Sequence, residues 1–311
     1  MGDRLKGRAA VVTGAGRGIG RTIAELLASE GAAVVVNDLG SNVDGSGAAA
    51  NVADEVVAAI RAKGGTAVAN YDSVADYAAA ENLIGTAVKE FGSVDILVNN
   101  AGILRDRMLF NMSEEEWDSV IAVHLKGSFN CTRHASAHMR QQRRGRIVSM
   151  SSTSGVFGNS GQANYGAAKD GIAGMTRVVS RDLGRYGITV NAVCPGASTR
   201  MTQTVPDAAR AARAKSGIQG PGGQRTFQLG NTGPENVAPW VVWLTTDPAS
   251  HVNGQIFFVM GGLIALLNYP APQRTIQTEG RWSPEAIATL FPRTLGLDLV
   301  NPAPPTPPKE P

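Results

Sequence analysis

The residues best suited to chemistry in this chain are Tyr165 and Lys169, four apart in the run Tyr165-Gly166-Ala167-Ala168-Lys169. On a helix that spacing puts both side chains on one face. A free tyrosine has a pKa of about 10 and is a poor base at neutral pH. A neighbouring ammonium group favours its phenolate. The phenolate can take the proton of an alcohol, and the phenol can return it. Ser152 stands 13 residues earlier, and its hydroxyl can hold the oxygen concerned. Alone, the Tyr-x-x-x-Lys spacing is common and reads equally as a pair on a helix surface.

A second feature gives it meaning. The run Thr13-Gly14-Ala15-Gly16-Arg17-Gly18-Ile19-Gly20 joins a predicted strand to a predicted helix. Glycines there let the backbone approach a pyrophosphate, and the helix start offers free N–H groups and a positive dipole end. The next predicted strand ends at Asp38, 24 residues after Gly14. A carboxylate in that place accepts hydrogen bonds from ribose hydroxyls. It repels a 2′-phosphate by about 4 kcal/mol for a unit-charge pair at ~4 Å and an effective dielectric of about 20. Arg17 argues the other way, because a cation in the turn welcomes that phosphate. Asp38 decides the expectation for NAD; its bland reading is a turn residue before Gly40. The expected reaction is removal of a hydride from a secondary alcohol carbon while Tyr165 takes the hydroxyl proton.

These groups must be carried by a scaffold. Short β-branched runs at 8–13, 33–37, 66–70, 95–99, 146–150, 189–194 and 255–259 read as strands. Between them, 18–30, 47–63, 74–91 and 163–186 read as helices, and Ser113-x-x-Glu116 reads as a capping box opening a long helix. Such alternation builds an α/β fold, a doubly wound parallel sheet of the Rossmann kind. We expect one domain over 1–269 and an extension over 270–311 that ends in a proline-rich stretch. The excursion 197–233 reads either as a mobile lid over the ligand crevice or as an ordered surface loop. Arg210, Arg213, Lys215 and Arg225 within it are either partners for phosphates or a solvated charged face.

Composition narrows the rest. The 311 residues carry 29 basic and 26 acidic side chains, and a net charge of +3 is too balanced to argue for nucleic acid. Cys131 and Cys194 lack metal-ligand spacing, so no metal is expected and a reduced compartment is the default. No apolar run reaches the ~20 residues of a membrane span. No long apolar region opens the sequence, and it closes on Lys309-Glu310-Pro311, so the expected location is the cytoplasm.

Taken together, Gly14-x-x-x-Gly18-x-Gly20, Asn99-Asn100-Ala101-Gly102, Ser152, Tyr165-x-x-x-Lys169 and Pro195-Gly196 resemble the short-chain dehydrogenase/reductases over roughly 5–265. The resemblance implies that Asp72 lies beside adenine and Asn99 against the cofactor's ribose, with Ser73, Ala101 and Gly102 also at the cofactor. Pro195, Gly196 and Ser198 would meet the nicotinamide amide. The runs 36–40, 69–74, 102–107, 161–165 and 200–205 are similar to one branch, the (3R)-hydroxyacyl-CoA dehydrogenase regions of peroxisomal multifunctional enzymes of type 2. That branch implies an acyl-CoA substrate, 17β-hydroxysteroids as a further one, and a homodimer or homotetramer. Its fused hydratase and sterol-carrier modules are not expected within these residues. A 3-oxoacyl-carrier-protein reductase and a non-catalytic NAD-sensing protein are the alternatives. His124 stands where many members carry an asparagine that holds a relay water; it reads as that relay group or as a structural histidine.

Overall fold

In the computed structural model the structure describes residues 2–47, 51–197 and 231–302. The strands are β1 (Ala9–Thr13), β2 (Ala33–Asn37), β3 (Thr66–Asn70), β4 (Ile96–Asn99), β5 (Gly145–Met150), β6 (Ile188–Pro195), β7 (Ile256–Met260) and β8 (Leu263–Leu266). They form one sheet in the order β3-β2-β1-β4-β5-β6-β7-β8, parallel throughout except for the antiparallel pair β7–β8. The helices that matter for the site are α1 (Gly18–Ser29), α2 (Asn51–Ala62), α3 (Tyr77–Phe91), α4 (Glu114–Ile121), α5 (Gly127–Gln142), the single turn α6 (Thr153–Val156) and α7 (Ala163–Gly184).

Side chains on successive strand residues point to opposite faces. Ala10, Val12, Val34 and Val36 therefore pack on one face with Ile23, Leu27 and Val56 of α1 and α2. Val11, Val35 and Leu97 pack on the other with Leu83 and Ile84 of α3 and Cys131 and Met139 of α5. Burial on both faces is why these strands are apolar almost without interruption. The sheet is thus covered by helices on both sides, a Rossmann-type fold.

Several elements differ from the sequence reading, a long helix and a strand among them. The long helix opened by Ser113 is not continuous: five residues, Ala122–Lys126, form a π-turn between α4 and α5. Strand β8 was not expected. It returns from β7 through the two-residue turn Gly261-Gly262, where Gly261 has φ 55°. The capping box forms as read: Ser113 accepts from the Glu116 N–H and the Glu116 carboxylate accepts from the Ser113 N–H. Nearly all of the excursion, 198–230, lies outside the described residues, as does the chain end from 303.

Among the described residues, 2–197 and 231–267 belong to one compact unit and 268–302 to a second. The second contains a helix, Pro284–Leu290, capped by Ser283, whose hydroxyl accepts from the Ala286 N–H. No helix among the described residues is long and apolar enough to cross a membrane.

At the amino ends of the strands, one carboxylate gathers three of them. Asp95, just before β4 and 1 % exposed, accepts from the Ala9 N–H at 2.9 Å, from Ser93 Oγ at 2.7 Å and from Arg144 Nε at 2.6 Å. Removing the buried carboxylate orphans donors from β1 and from the entry to β5. Asp95→Ala is expected to lower unfolding free energy by about 2–4 kcal/mol. Arg144 is 47 % exposed, so Arg144→Ala should cost about 1 kcal/mol or less. Urea unfolding of both variants checks the ranking, and equal losses would contradict it.

Candidate active site

The glycine turn joins β1 to α1 at the carboxyl edge of the sheet. Gly14 (φ 62°) and Gly18 (φ 53°) adopt left-handed backbone that other residues avoid. A Cβ on Gly14 would stand 2.8 Å from Ala101 Cα, and one on Gly20 would run into the Gly14 carbonyl oxygen. The turn therefore lies directly against the segment after β4. Asn100 fastens the two: its Nδ2 donates to the carbonyls of Thr13 at 3.0 Å and Gly14 at 2.9 Å. Thr13 Oγ1 in turn accepts from the Asn100 and Ala101 N–H groups, each at 3.0 Å.

Between these segments opens a cleft of about 600 Å³. It lies where the strand order reverses between β1 and β4, the usual ligand position in open α/β sheets. Gly14, Arg17, Gly18, Ile19, Asp38, Asp72, Ser73, Ala101 and Gly102 all line it, as the sequence led us to expect. Asp38 is held by two backbone donors, Gly16 N–H to Oδ2 at 2.8 Å and Gly40 N–H to Oδ1 at 2.7 Å. Asp72 accepts from Asn70 at 2.7 Å and Asn82 at 2.6 Å. Among the described residues, the Arg17 side chain reaches the Ser41 carbonyl, at 3.4 Å.

Other expected residues do not line the cleft. Gly20 serves the packing of the turn. Asn99 is 5 % exposed; its Nδ2 donates to Thr132 Oγ1 and Ser149 Oγ, while its Oδ1 has no partner among the described residues. Pro195 closes β6, and the Gly196 N–H bonds back to the Val259 carbonyl. Ser198, Arg210, Arg213, Lys215 and Arg225 lie outside the described residues. The glycine cradle, the fixed Asp38 carboxylate and the unpartnered Asn99 oxygen fit an adenine dinucleotide.

Strand β5 and helix α7 bring Ser152, Tyr165 and Lys169 together. Ser151 Oγ donates to the Lys169 carbonyl at 2.7 Å, and Lys169 Nζ donates to the Met150 carbonyl at 2.5 Å. Ser152 caps α6, its Oγ accepting from the Ser154 N–H at 3.1 Å. Asn164 fixes the start of α7: its Nδ2 donates to the carbonyls of Arg105 and Glu116, and its Oδ1 accepts from the Tyr165 N–H. Lys169 Nζ lies 5.5 Å from the centre of the Tyr165 ring.

Burial dominates the titration of the group. It pushes the Tyr165 phenol up to about 12, with a Ser152 hydrogen bond lowering it and the Asp106 carboxylate raising it. It pulls Lys169 down to about 8, opposed by Cys194. It pulls His124 down to about 3, helped by the Lys169 charge and opposed by a bond to Ile103. The imidazole is therefore neutral at physiological pH.

His124 sits in the π-turn, edge-on to Tyr165 with ring centres 5.2 Å apart. Its Nε2 is 3.0 Å from the Ile103 nitrogen and 2.8 Å from the Ile103 oxygen, and its Nδ1 has no partner among the described residues. A Cβ on Gly102 would strike the imidazole. Gly102 and Ile103 also line the cleft, so His124 links the two halves of the site.

Three contributors were missed in the sequence. Asn100 stands in the quoted Asn99-Asn100 pair, yet only the fold shows that it fastens the glycine turn. Asp106 accepts from Gln162 Nε2 at 2.8 Å and bears on Tyr165 from a separate segment. Ser151 precedes the expected serine and ties β5 to α7. None has a spacing signal of its own.

The profile of the family described as short chain dehydrogenase matches residues 8–210. The hydroxyacyl-CoA dehydrogenase ChsB1 of Mycobacterium tuberculosis is 44 % identical over 94 % of this chain and 90 % of its own length. Peroxisomal multifunctional enzyme type 2 of Mus musculus is 45 % identical over 86 % of this chain, which matches 33 % of that longer protein. The 3-oxoacyl-[acyl-carrier-protein] reductase FabG of Staphylococcus aureus is 42 % identical over 82 % of this chain and 98 % of its own. A crystal structure of a short chain dehydrogenase from Mycobacterium avium superposes with a TM-score of 0.78 at 44 % identity, covering 98 % of both chains. Likeness sustained along whole chains, on a fold that places a dinucleotide cleft beside a half-buried tyrosine and a buried lysine, means that the protein belongs to the short-chain dehydrogenase family, NAD(P)-dependent oxidoreductases acting on CH–OH groups.

Proposed function

We propose that the protein oxidises a (3R)-3-hydroxyacyl-CoA to the 3-oxoacyl-CoA with NAD, in fatty-acid or sterol side-chain breakdown, with 17β-hydroxysteroids as a further substrate. The observation that carries the chemistry is the convergence of Ser152, Tyr165 and Lys169 at the end of β5. The acyl-CoA class is supported by the likeness to ChsB1 along nearly the full length of both chains. NAD is supported by Asp38, whose carboxylate two backbone donors hold at the cleft. Bound NAD supplies the hydride acceptor and a fixed positive charge.

In this reading, Asp38 holds the adenosine ribose and Asp72 with Ser73 the adenine. Asn99, Ala101 and Gly102 serve the second ribose, and Pro195, Gly196 and Ser198 the amide. Ser152 Oγ orients the substrate oxygen. Tyr165 takes its proton, and Lys169 favours the phenolate that burial alone opposes. His124, neutral and with Nδ1 unspent, is placed to bond a water on the outward proton path. The protein works as a homodimer or homotetramer. A second reading, reduction of 3-oxoacyl groups on carrier protein, is favoured by the likeness to FabG. Turnover of 3-hydroxyacyl-CoA thioesters, 17β-hydroxysteroids and 3-oxoacyl carrier protein, each with both nicotinamide cofactors, tests the choice. The highest kcat/KM is expected for 3-hydroxyacyl-CoA with NAD, and inactivity on every CoA thioester would refute the assignment.

Cofactor choice has its own test. Wild type should prefer NAD over NADP, and Asp38→Ala should shrink that preference at least roughly tenfold by removing the repelling charge. A wild type that prefers NADP would contradict the role given to Asp38. For the chemical step, Tyr165→Phe should lower single-turnover NADH formation by ~10²–10⁴ while NAD binding, measured separately, survives. Because oxidation needs the phenolate, wild-type kcat/KM should rise from about pH 6 to 7, where Lys169, pulled down to about 8, still keeps most of its charge. Near-wild-type hydride transfer by the phenylalanine variant would rule the mechanism out.

A further inference from the structure

The amino edge of the sheet, opposite the dinucleotide cleft, carries a second cluster that the reaction does not use. Helix α5 ends just before β5, and α7 ends just before β6, so both carboxyl ends come down on the same edge. Arg140 and Arg143 stand at the end of α5, Arg181 and Arg185 at the end of α7, and Tyr186 follows. The guanidinium carbons of Arg140, Arg143 and Arg185 lie 4.9, 5.6 and 4.8 Å from the centre of the Tyr186 ring. Arg185 Nη2 donates to the Tyr186 hydroxyl at 2.7 Å, which lowers the phenol's pKa. Arg140, Arg181, Asp182, Leu183, Arg185 and Tyr186 line a concavity of about 490 Å³.

Part of this arrangement has a structural reason. Cations suit helix carboxyl ends, and Arg143 Nη2 donates to the Arg185 carbonyl at 3.0 Å. Yet the nearby arginines that serve the fold are paired with acids: Arg8, Arg144 and Arg146 all reach Asp95 or Asp247. Arg140, Arg143, Arg181 and Arg185 pair with no carboxylate among the described residues, although Asp182 lines the same concavity. Three of their charges surround one ring within roughly a Debye length, about 8–10 Å, of one another. Like charges held that close lose repulsion when an anion enters. Guanidinium forks suit phosphate oxygens, and stacking on the ring limits the freedom they lose on binding.

We infer that the Arg140–Arg181–Arg185–Tyr186 concavity is a binding site for a ligand carrying two or more linked phosphates, separate from the dinucleotide cleft. A single carboxylate or phosphate would leave most of the cluster uncompensated. The ligand is either a free oligophosphate or the diphosphate part of a nucleotide such as coenzyme A.

Calorimetric titration with inorganic tripolyphosphate, in saturating NAD to occupy the other anion-binding cleft, tests the site. Wild type should bind, with affinity that falls as salt rises. Arg140→Gln/Arg181→Gln/Arg185→Gln should weaken binding at least roughly tenfold, the loss of about one charge-assisted hydrogen bond. The matching triple lysine variant keeps the charge and should retain part of the affinity, which guards against a folding artefact in the glutamine variant. Parallel titrations with ADP and coenzyme A distinguish the sources: tighter binding than tripolyphosphate, lost in the glutamine variant, identifies the nucleotide. Absence of tripolyphosphate binding by wild type, or equal binding by wild type and the glutamine variant, overturns the inference.

Discussion

At Gly14 the backbone of the first turn lies directly against the Ala101 backbone of the segment that follows β4. That approach requires glycine at 14, where a Cβ would meet the Ala101 backbone, and the turn itself requires glycine at 20, where a Cβ would meet the Gly14 carbonyl. Thr13 and Asn100 lock it with four hydrogen bonds that satisfy groups left over where two parallel strands end. The ligand face depends on this contact. It sets the width of the cleft, aims the start of α1 into it and fixes the path of Gly102 and Ile103. Those two residues then carry the geometry on to His124 and, through its ring, to Tyr165.

Three ionisable groups share the buried end of that path. Desolvation is the largest influence on each, and it drives each toward its neutral form. The phenol holds its proton, the imidazole stays unprotonated and the ammonium group is loosened. A site in this condition responds strongly to one added charge, because little solvent stands between the groups to screen it. Its geometry is set independently of titration. Main-chain carbonyls and side-chain amides hold Lys169 and the start of α7, and none of these changes charge with pH.

Much of this was legible in the sequence, for identifiable reasons. Strands buried on both faces show as apolar runs, and the predicted boundaries of β2 and β3 coincide with the observed ones. Glycines that permit close approach show as a fixed spacing, and a tyrosine and lysine one turn apart show as Tyr-x-x-x-Lys. What escaped detection has no local period. Asn100 and Asp106 act through partners 56 or more positions away. Helix α5 buries Asn130, Thr132 and His134, so its apolar pattern is blurred and gives no sign of a break at its start. Strand β8 is four residues long, and its one signal was the Gly261-Gly262 pair, a hairpin dipeptide.

The π-turn at Ala122–Lys126 has a consequence for the helices on either side. Each α-helical residue advances about 100° around the axis, so a wider turn resets the angular phase of everything after it. Before the turn, Val120 packs with Ala168 beside Tyr165; after it, Cys131, Ala135 and Met139 face Leu83 and the sheet. Asn130 also reaches the Val74 carbonyl from that second phase. The two stretches obey different neighbours, and a uniform helix could satisfy only one of them. Regular winding of the same residues would swing the α5 core stripe away from the sheet by about the 100° of one residue, whereas deleting one residue within the turn would restore regular winding and keep that stripe in place. His124 occupies the joint where the two phases meet, so the residue edge-on to the tyrosine is also the one about which the rest of that rod is indexed.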